Sequence, residues 1–146
     1  MESVIRHGYD ANLALKAPGA VAITASELST KVDINRITKS VRGALANRYG
    51  EYEFDVVVHV VALDHTTGDE TYSLDFNTYD AAGANPVTHQ NRLLTVADLG
   101  KTLIFTFKTG TIQEADADAA LFAVNLTLAG TTPILQYWAF VSPDPD

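Results

Sequence analysis

Four histidines are the side chains of this sequence best able to do acid–base or metal chemistry: His7, His59, His65 and His89. A metal-dependent jelly-roll enzyme would need His59 and His89 to converge with carboxylates from other strands. No partner of suitable spacing accompanies His59, so we interpret it as a core or interface histidine. The sequence has no cysteine, which excludes thiol nucleophiles and disulfides. It also lacks a glycine-rich phosphate loop and a G-x-S-x-G nucleophile motif.

Two acidic segments are candidates for metal or catalytic sites. Asp64–Glu70 (DHTTGDE) places several oxygens in a tight turn, where they could bind Ca²⁺. Its spacing differs from that of the EF-hand loop, and the same residue types are favoured in a hairpin turn. Asp116 and Asp118 lie too close in one loop to face each other across a cleft, as glycoside hydrolysis requires. We therefore predict no catalytic residue, no metal, no cofactor and no enzymatic activity.

The charge of the chain is unevenly distributed around a net value of −8. Residues 1–50 hold seven Lys or Arg against four Asp or Glu, whereas residues 51–146 hold three against fourteen. The basic segment has few aromatic neighbours, so we expect no nucleic-acid partner. It could instead contact an acidic protein surface, and a solvated basic loop is the alternative.

Composition indicates a single globular domain of 146 residues with 47% hydrophobic and 19% charged residues. No apolar run approaches the roughly 18 residues of a membrane-spanning helix. The N-terminus lacks the pattern of a signal peptide. These observations predict a soluble protein made in the cytoplasm, with no membrane partner.

The apolar pattern has a period of two from Glu53 onward, which predicts strands. The predicted strands are Phe54–Leu63, Thr71–Asn77, Val87–Val96, Thr102–Lys108, Ala120–Leu128 and Ile134–Val141. Gly110–Ala119 is acidic and predicts a loop.

The first 50 residues have a weaker pattern. Residues 1–20 predict an N-terminal arm with a short strand at Asn12–Leu15, and Val21–Leu28 alternates as a strand does. In residues 31–49, apolar residues recur at helical spacing, which favours a short helix: Ile34, Ile37, Val41 and Leu45. A strand at Val32–Ile34 followed by a long loop is the competing interpretation.

The fold class that follows is all-β. Seven or eight strands spaced by about 8–15 residues predict an antiparallel β-sandwich, jelly-roll-like in character. We expect an arm over residues 1–20, a single sandwich domain over 21–146, and a short helix or long loop near residues 31–49.

The chain from Leu121 to Val141 reads as a closing hairpin around the turn Gly130–Pro133. Its returning strand is apolar on both faces, whereas an antiparallel strand normally exposes one polar face to water. A second protein surface is a plausible cover. The candidates for self-association, on this strand and on Val56–Leu63, are Val57, His59, Val61, Leu135, Tyr137, Trp138 and Phe140. Tyr137, Trp138 and Phe140 could alternatively form a sugar-binding platform, although they fall on both faces of the strand.

The C-terminal half resembles the small cement, or decoration, proteins of tailed-phage capsids. The resemblance covers roughly residues 50–143. It depends on ETYSLDFNTYDAA, on LLTVADLGKTLIFTF and on the closing segment GTTPILQYWAF, which follows the family pattern G-T-(S/T)-P-x-(I/L)-x-Y-x-A-(F/L). Residues 31–49 are longer and more basic than the family pattern.

The resemblance implies a β-sandwich that self-associates as a dimer or trimer on the outer capsid surface of a virion. It would clamp neighbouring subunits of the major capsid protein after shell expansion. The candidates for docking onto an acidic shell are the basic residues Arg36, Lys39, Arg42 and Arg48. A carbohydrate- or receptor-binding β-sandwich, for example in a tail fibre, is the alternative function.

Overall fold

A computed structural model describes residues 9–34, 36–37 and 53–143, and in these residues the protein is an antiparallel β-sandwich. The strands are β1 (Ala14–Lys16), β2 (Glu27–Leu28), β3 (Val32–Asp33), β4 (Glu53–Leu63), β5 (Thr71–Tyr79), β6 (Val87–Leu94), β7 (Thr102–Lys108), β8 (Leu121–Ala129) and β9 (Leu135–Pro143). Helix α1 spans Thr109–Ala115, and short 3₁₀ turns span Ala11–Leu13 and Val96–Asp98. The predicted all-β class is confirmed.

The strands form two sheets. The first sheet has the order β1-β9-β4-β7, and the second has the order β2-β8-β5-β6, with β3 also paired to β8. Strands β2 and β3 pair with successive parts of β8, so they act as one interrupted edge strand. If β2 and β3 are counted as one strand, successive strands lie in alternate sheets. The exception is the pair β5 and β6, which are neighbours in the second sheet. This is the connectivity of a jelly roll.

Alternating residues of the strands fill the space between the sheets. Strand β4 contributes Phe54, Val56, Val58 and Val60, and strands β5 and β8 contribute matching large apolar residues. Phe54 packs against Phe107 and Phe122 with ring centroids 5.6 Å away in each case. Such aromatic pairs add about 0.5–1.5 kcal/mol each beyond the area that they bury. The period-two pattern of the sequence therefore marks the core correctly.

The predicted hairpin of β8 and β9 is wrong. Strand β8 lies in the second sheet and β9 in the first, so residues 130–134 cross from one sheet to the other. Gly130 adopts φ +106° and passes so close to the start of β5 that a Cβ atom would lie 2.6 Å from the Cα of Glu70. The Asp69 carboxylate accepts hydrogen bonds from the Thr131 N–H at 3.1 Å and from its hydroxyl at 2.6 Å. A turn motif alone cannot distinguish this crossing from a hairpin.

The N-terminal segment differs from the predicted arm. Strand β1 pairs with β9, and Leu13 and Leu15 are buried in the core, so residues 9–20 belong to the sandwich. Residues 1–8 lie outside the described residues. The strand predicted at Val21–Leu28 is reduced to β2 and to an isolated bridge between Ile23 and Leu135.

Two other segments test the secondary-structure predictions. Helix α1 replaces the first six residues of the loop predicted at Gly110–Ala119, because Ile112 is buried against the core and anchors the helix. Residues 116–119 are a loop, as predicted. In residues 31–49, both interpretations are met in part. Val32 and Asp33 form β3, and Ile34, Arg36 and Ile37 are helical, while residues 35 and 38–49 are not described.

The crossing can be tested with one methyl group. We expect Gly130→Ala to lower the free energy of unfolding by about 3 kcal/mol or more, because a positive φ is combined with a backbone clash. The matched control is Gly68→Ala, since Gly68 also has a positive φ (+89°) but has nothing within 4 Å of the added Cβ. It should cost about 1 kcal/mol. Denaturant unfolding measures both values, and equal costs would contradict the close approach.

Candidate interaction surface on the first sheet

The outer face of the first sheet carries apolar and aromatic side chains in cross-strand rows. One row is Ile104–Val57–Phe140 and the next is Thr102–His59–Trp138. The registers of β7, β4 and β9 place these residues opposite one another on the face away from the core. Cross-strand neighbours on one face are about 4.5–5.5 Å apart at Cβ, so large side chains in such rows must touch.

The aromatic rings of this face form a continuous strip, which we call the aromatic strip: Tyr9, His59, Trp138 and Phe140. His59 stacks on Trp138 at 5.0 Å between centroids, with an angle of 21° between the rings. Trp138 stacks on Phe140 at 5.7 Å and 13°. Tyr9 meets Phe140 edge-on at 5.5 Å. Each ring thus contacts the next along the outer face of the first sheet.

His59 is fixed in this strip by a hydrogen bond from the neighbouring strand. Its Nδ1 lies 2.8 Å from the Thr102 hydroxyl. The imidazole and the hydroxyl face away from the core, and His59 is half-buried. His89 lies on β6 of the second sheet, so the two histidines do not converge on a common site.

The structure separates the predicted self-association residues into three groups. Leu135 and Tyr137 are 0% and 2% exposed and face the core, so they cannot form an interface. Val57 and Phe140 lie on the outer face but are buried within the chain. His59 and Trp138 are half-buried there, and Val61 is exposed at a β-bulge of β4.

Tyr137 points inward because its hydroxyl has a partner at the edge of the core. It donates to Glu27 Oε2 at 3.0 Å, and the Lys16 ammonium binds the same oxygen at 2.6 Å. Burial, reinforced by the Glu27 charge, raises the pKa of Tyr137 far above its ordinary value. The hydroxyl therefore stays protonated. Tyr137 can face the core because Glu27 accepts the hydrogen bond of its hydroxyl.

Sequence reasoning missed two residues of the outer face. Ile104 is 50% exposed and Tyr9 is 47% exposed. Ile104 was detectable, because strict alternation in the predicted strand Thr102–Lys108 places Leu103, Phe105 and Phe107 on one face and Ile104 on the other. Tyr9 carried no signal, since its position depends on the pairing of β1 with β9.

The outer face of the second sheet is polar and internally hydrogen-bonded. Asn91 donates to Ser73 at 2.9 Å, and Thr88 donates to Asn77 at 2.8 Å. Asp75, Asn125 and Thr127 occupy the same face. Water satisfies such a face, as is usual in antiparallel sheets. The sandwich therefore has one face suited to water and one suited to an apolar contact.

The described residue group closest to a catalytic arrangement consists of Thr78, His89 and Asp116. The fully buried Thr78 hydroxyl donates to Asp116 Oδ2 at 2.7 Å and then accepts from His89 Nε2 at 2.7 Å. The hydroxyl proton is thus directed at the carboxylate, and the imidazole acts as a donor. Nucleophile activation requires the reverse, with the imidazole accepting the hydroxyl proton.

Two acids of Asp64–Glu70 accept hydrogen bonds within the turn and at the crossing. Asp64 Oδ1 accepts from the Thr66 N–H at 2.8 Å, and Asp69 binds Thr131. Among the residues that the structure describes, no three His, Asp or Glu side chains are grouped to hold a metal ion. Nor do those residues include a helix long and apolar enough to span a membrane.

The structure describes one of the four predicted docking residues. Arg36 is exposed, next to the buried Ile37. Lys39, Arg42 and Arg48 lie outside the described residues.

No protein-family model matches the chain, and no curated protein matches it significantly.

His89 predicts acid sensitivity. Burial lowers the pKa of His89 below its ordinary value, and the nearby Asp116 charge opposes this only in part. The unfolded chain then binds a proton at higher pH than the folded chain, so stability should fall as pH drops through about 6.5. Urea unfolding between pH 8 and pH 5 measures this slope.

Two variants isolate the contribution of His89. His89→Gln keeps a donor for Thr78 and should flatten the slope near neutral pH. Asp116→Asn removes the opposing charge and should steepen it. Identical slopes in all three proteins would contradict the assignment.

Proposed function

We propose that this protein is a non-enzymatic structural protein of a virion, a capsid cement protein that self-associates through the aromatic strip. The observation that carries the proposal is the contrast between the two outer faces of the sandwich. One face is a hydrogen-bonded polar surface, and the other presents stacked rings beside the exposed Ile104. Contiguous apolar surface of this kind is typical of protein–protein interfaces.

A stable contact would use a small part of the surface of the chain. Specific interfaces bury about 800 Å² on each partner. The chain exposes 7632 Å² in total, so such a contact would use about a tenth of it. Trp138 is the expected anchor, because tryptophan and tyrosine dominate interface energetics.

The capsid setting rests on the resemblance of residues 50–143 to phage decoration proteins. Its closing segment, GTTPILQYWAF, supplies the Gly130 crossing and the Trp138 and Phe140 rings of the aromatic strip. Jelly rolls occur in viral capsid proteins but also in lectins, so the fold by itself supports either function. In the proposed role the oligomer sits on the outer shell and joins neighbouring copies of the major capsid protein.

The alternative function, carbohydrate binding, is favoured by the presence of aromatic rings on an outer face. A sugar-binding platform presents a ring face to the ligand. Here the indole of Trp138 is stacked against both His59 and Phe140, at 5.0 and 5.7 Å. These contacts engage ring faces within the chain, so the geometry favours the assembly function. Binding on a glycan array that Trp138→Ala abolishes would support the alternative instead.

Self-association can be tested with one exposed position on each face. Light scattering should give the wild-type protein a mass of two or three 15.7-kDa chains at low and high salt. Ile104→Glu should yield monomers, because a charge in an apolar interface is not solvated. Its control is Leu93→Glu, since Leu93 is 61% exposed on the other sheet. A monomeric wild type, or dissociation by both variants, would refute the interface.

Capsid docking can be tested by charge reversal. The triple variant Arg36→Glu, Lys39→Glu and Arg42→Glu should occupy fewer sites on purified expanded capsids than the wild-type protein. The difference in occupancy should be larger at low salt, because charges are least screened there. Lys101→Glu and Lys108→Glu together serve as the control for lost positive charge. Unchanged occupancy in the triple variant would refute docking through this basic set while leaving self-association untouched.

A further inference from the structure

Strand β7 ends the first sheet and pairs there with β4. Among the described strands, no other strand lies beside it in that sheet. The backbone groups of an antiparallel strand point alternately toward one side and toward the other. Val60 donates its N–H to the Lys101 carbonyl at 3.1 Å, so that carbonyl points toward β4. By alternation, the β7 residues whose backbone groups also point toward β4 are Leu103, Phe105 and Phe107.

The residues between them point their backbone N–H and C=O groups away from β4: Thr102, Ile104 and Thr106. A hydrogen bond from the other sheet agrees with this direction. The side-chain amide of Gln90, on β6, donates to the Thr106 carbonyl at 2.9 Å. A row of outward N–H and C=O groups along a strand is a template for pairing with a further strand.

Proteins usually protect the edges of their sheets with short strands, bulges or charged side chains. Among the described end strands, β1 has three residues and a register shift, and β2 and β3 have two residues each. Strand β6 has a register shift and carries Arg92. Strand β7 has seven residues and pairs with β4 without a register shift. Its charged residue is Lys108 at the last position, opposite Glu53. Strand β7 is therefore the least protected of the described edges.

The apolar side chains of β7 are incompletely covered on both faces of the sheet. Leu103 and Phe105 pack against the core and yet are only half-buried. Val58 and Val56, directly opposite them on β4, are 1% and 0% exposed. On the outer face, Ile104 is 50% exposed. A strand that covers this edge must therefore be apolar on both of its own faces, as β7 itself is.

We infer that β7 pairs antiparallel with β7 of a second copy of this chain, about a twofold axis at Ile104. This register places Ile104 opposite its own equivalent on the outer face. On the inner face, Leu103 of each copy lies opposite Phe105 of the other. Such a contact is isologous, since both copies contribute the same residues. Each partly covered apolar side chain then gains an apolar neighbour, which favours a second copy over an unrelated strand.

The same register aligns the outward backbone groups. Ile104 exchanges both of its hydrogen bonds with its equivalent, and Thr102 of each copy does so with Thr106 of the other. The Thr106 carbonyl can keep its bond from Gln90, because a carbonyl oxygen accepts two hydrogen bonds. The pairing joins two four-stranded sheets into one. It goes beyond the proposed function, because it uses the edge of the sheet rather than the ring faces of the aromatic strip and needs no capsid.

Amide hydrogen exchange tests the pairing on the unmodified protein. The N–H groups of Ile104 and Thr106 gain a partner in the second copy, whereas those of Leu103 and Phe105 bond to β4 in either state. We expect an edge contact of this size to have a dissociation constant of about 100 µM. Exchange at Ile104 and Thr106 should then be about threefold slower at ~1 mM protein than at ~50 µM, with no change at Leu103 and Phe105. Exchange at Ile104 that is the same at both concentrations would overturn the inference.

A proline on the edge tests the hydrogen bonds directly. Thr106→Pro removes one outward N–H, and proline is tolerated on an edge strand at such a position. It should weaken dimerisation, measured by sedimentation equilibrium, at least about tenfold. Thr106→Val is the matched control, because it also loses the hydroxyl bond to Asp55 but keeps the N–H. It should change the dissociation constant by less than about twofold.

Trp138→Ala separates a failure of this inference from a failure of the strip interface. It alters the aromatic strip and leaves the edge of β7 intact, so the concentration-dependent protection of Ile104 should persist. Dimerisation that survives Thr106→Pro and is lost in Trp138→Ala would overturn edge pairing while supporting the strip. If Thr106→Pro does not fold, the exchange of Ile104 in the unmodified protein decides the question.

Discussion

Strand β9 is apolar on both faces, and the need to cover it twice organises the rest of the structure. It lies between β1 and β4, so it is an interior strand whose backbone is paired on both sides. Its inner face, with Leu135 and Tyr137, is covered by the second sheet. On its outer face, Phe140 is buried within the chain, whereas Trp138 is half-buried beside the ring of His59. The partial exposure of Trp138 is the physical reason to expect a partner on this face.

The crossing from β8 to β9 sets the position of this strand. Gly130 presses against Asp69 and Glu70, and Asp69 holds Thr131. The Tyr72 hydroxyl, which lies in the same region, accepts from the Ile134 N–H at 3.0 Å and also bonds the Asp64 carbonyl. One set of contacts at the start of β5 therefore fixes the crossing and the position of β9.

Sequence patterns predicted the parts of this fold that depend on local alternation. The strands around Val58, Leu74 and Val124 were placed correctly because each is long and apolar at every second residue. The pattern cannot assign strands to sheets, so it predicts a hairpin at Gly130 where the chain crosses between sheets. It could not show that Tyr137 faces inward, because its hydroxyl is satisfied by Glu27, a residue far away in sequence.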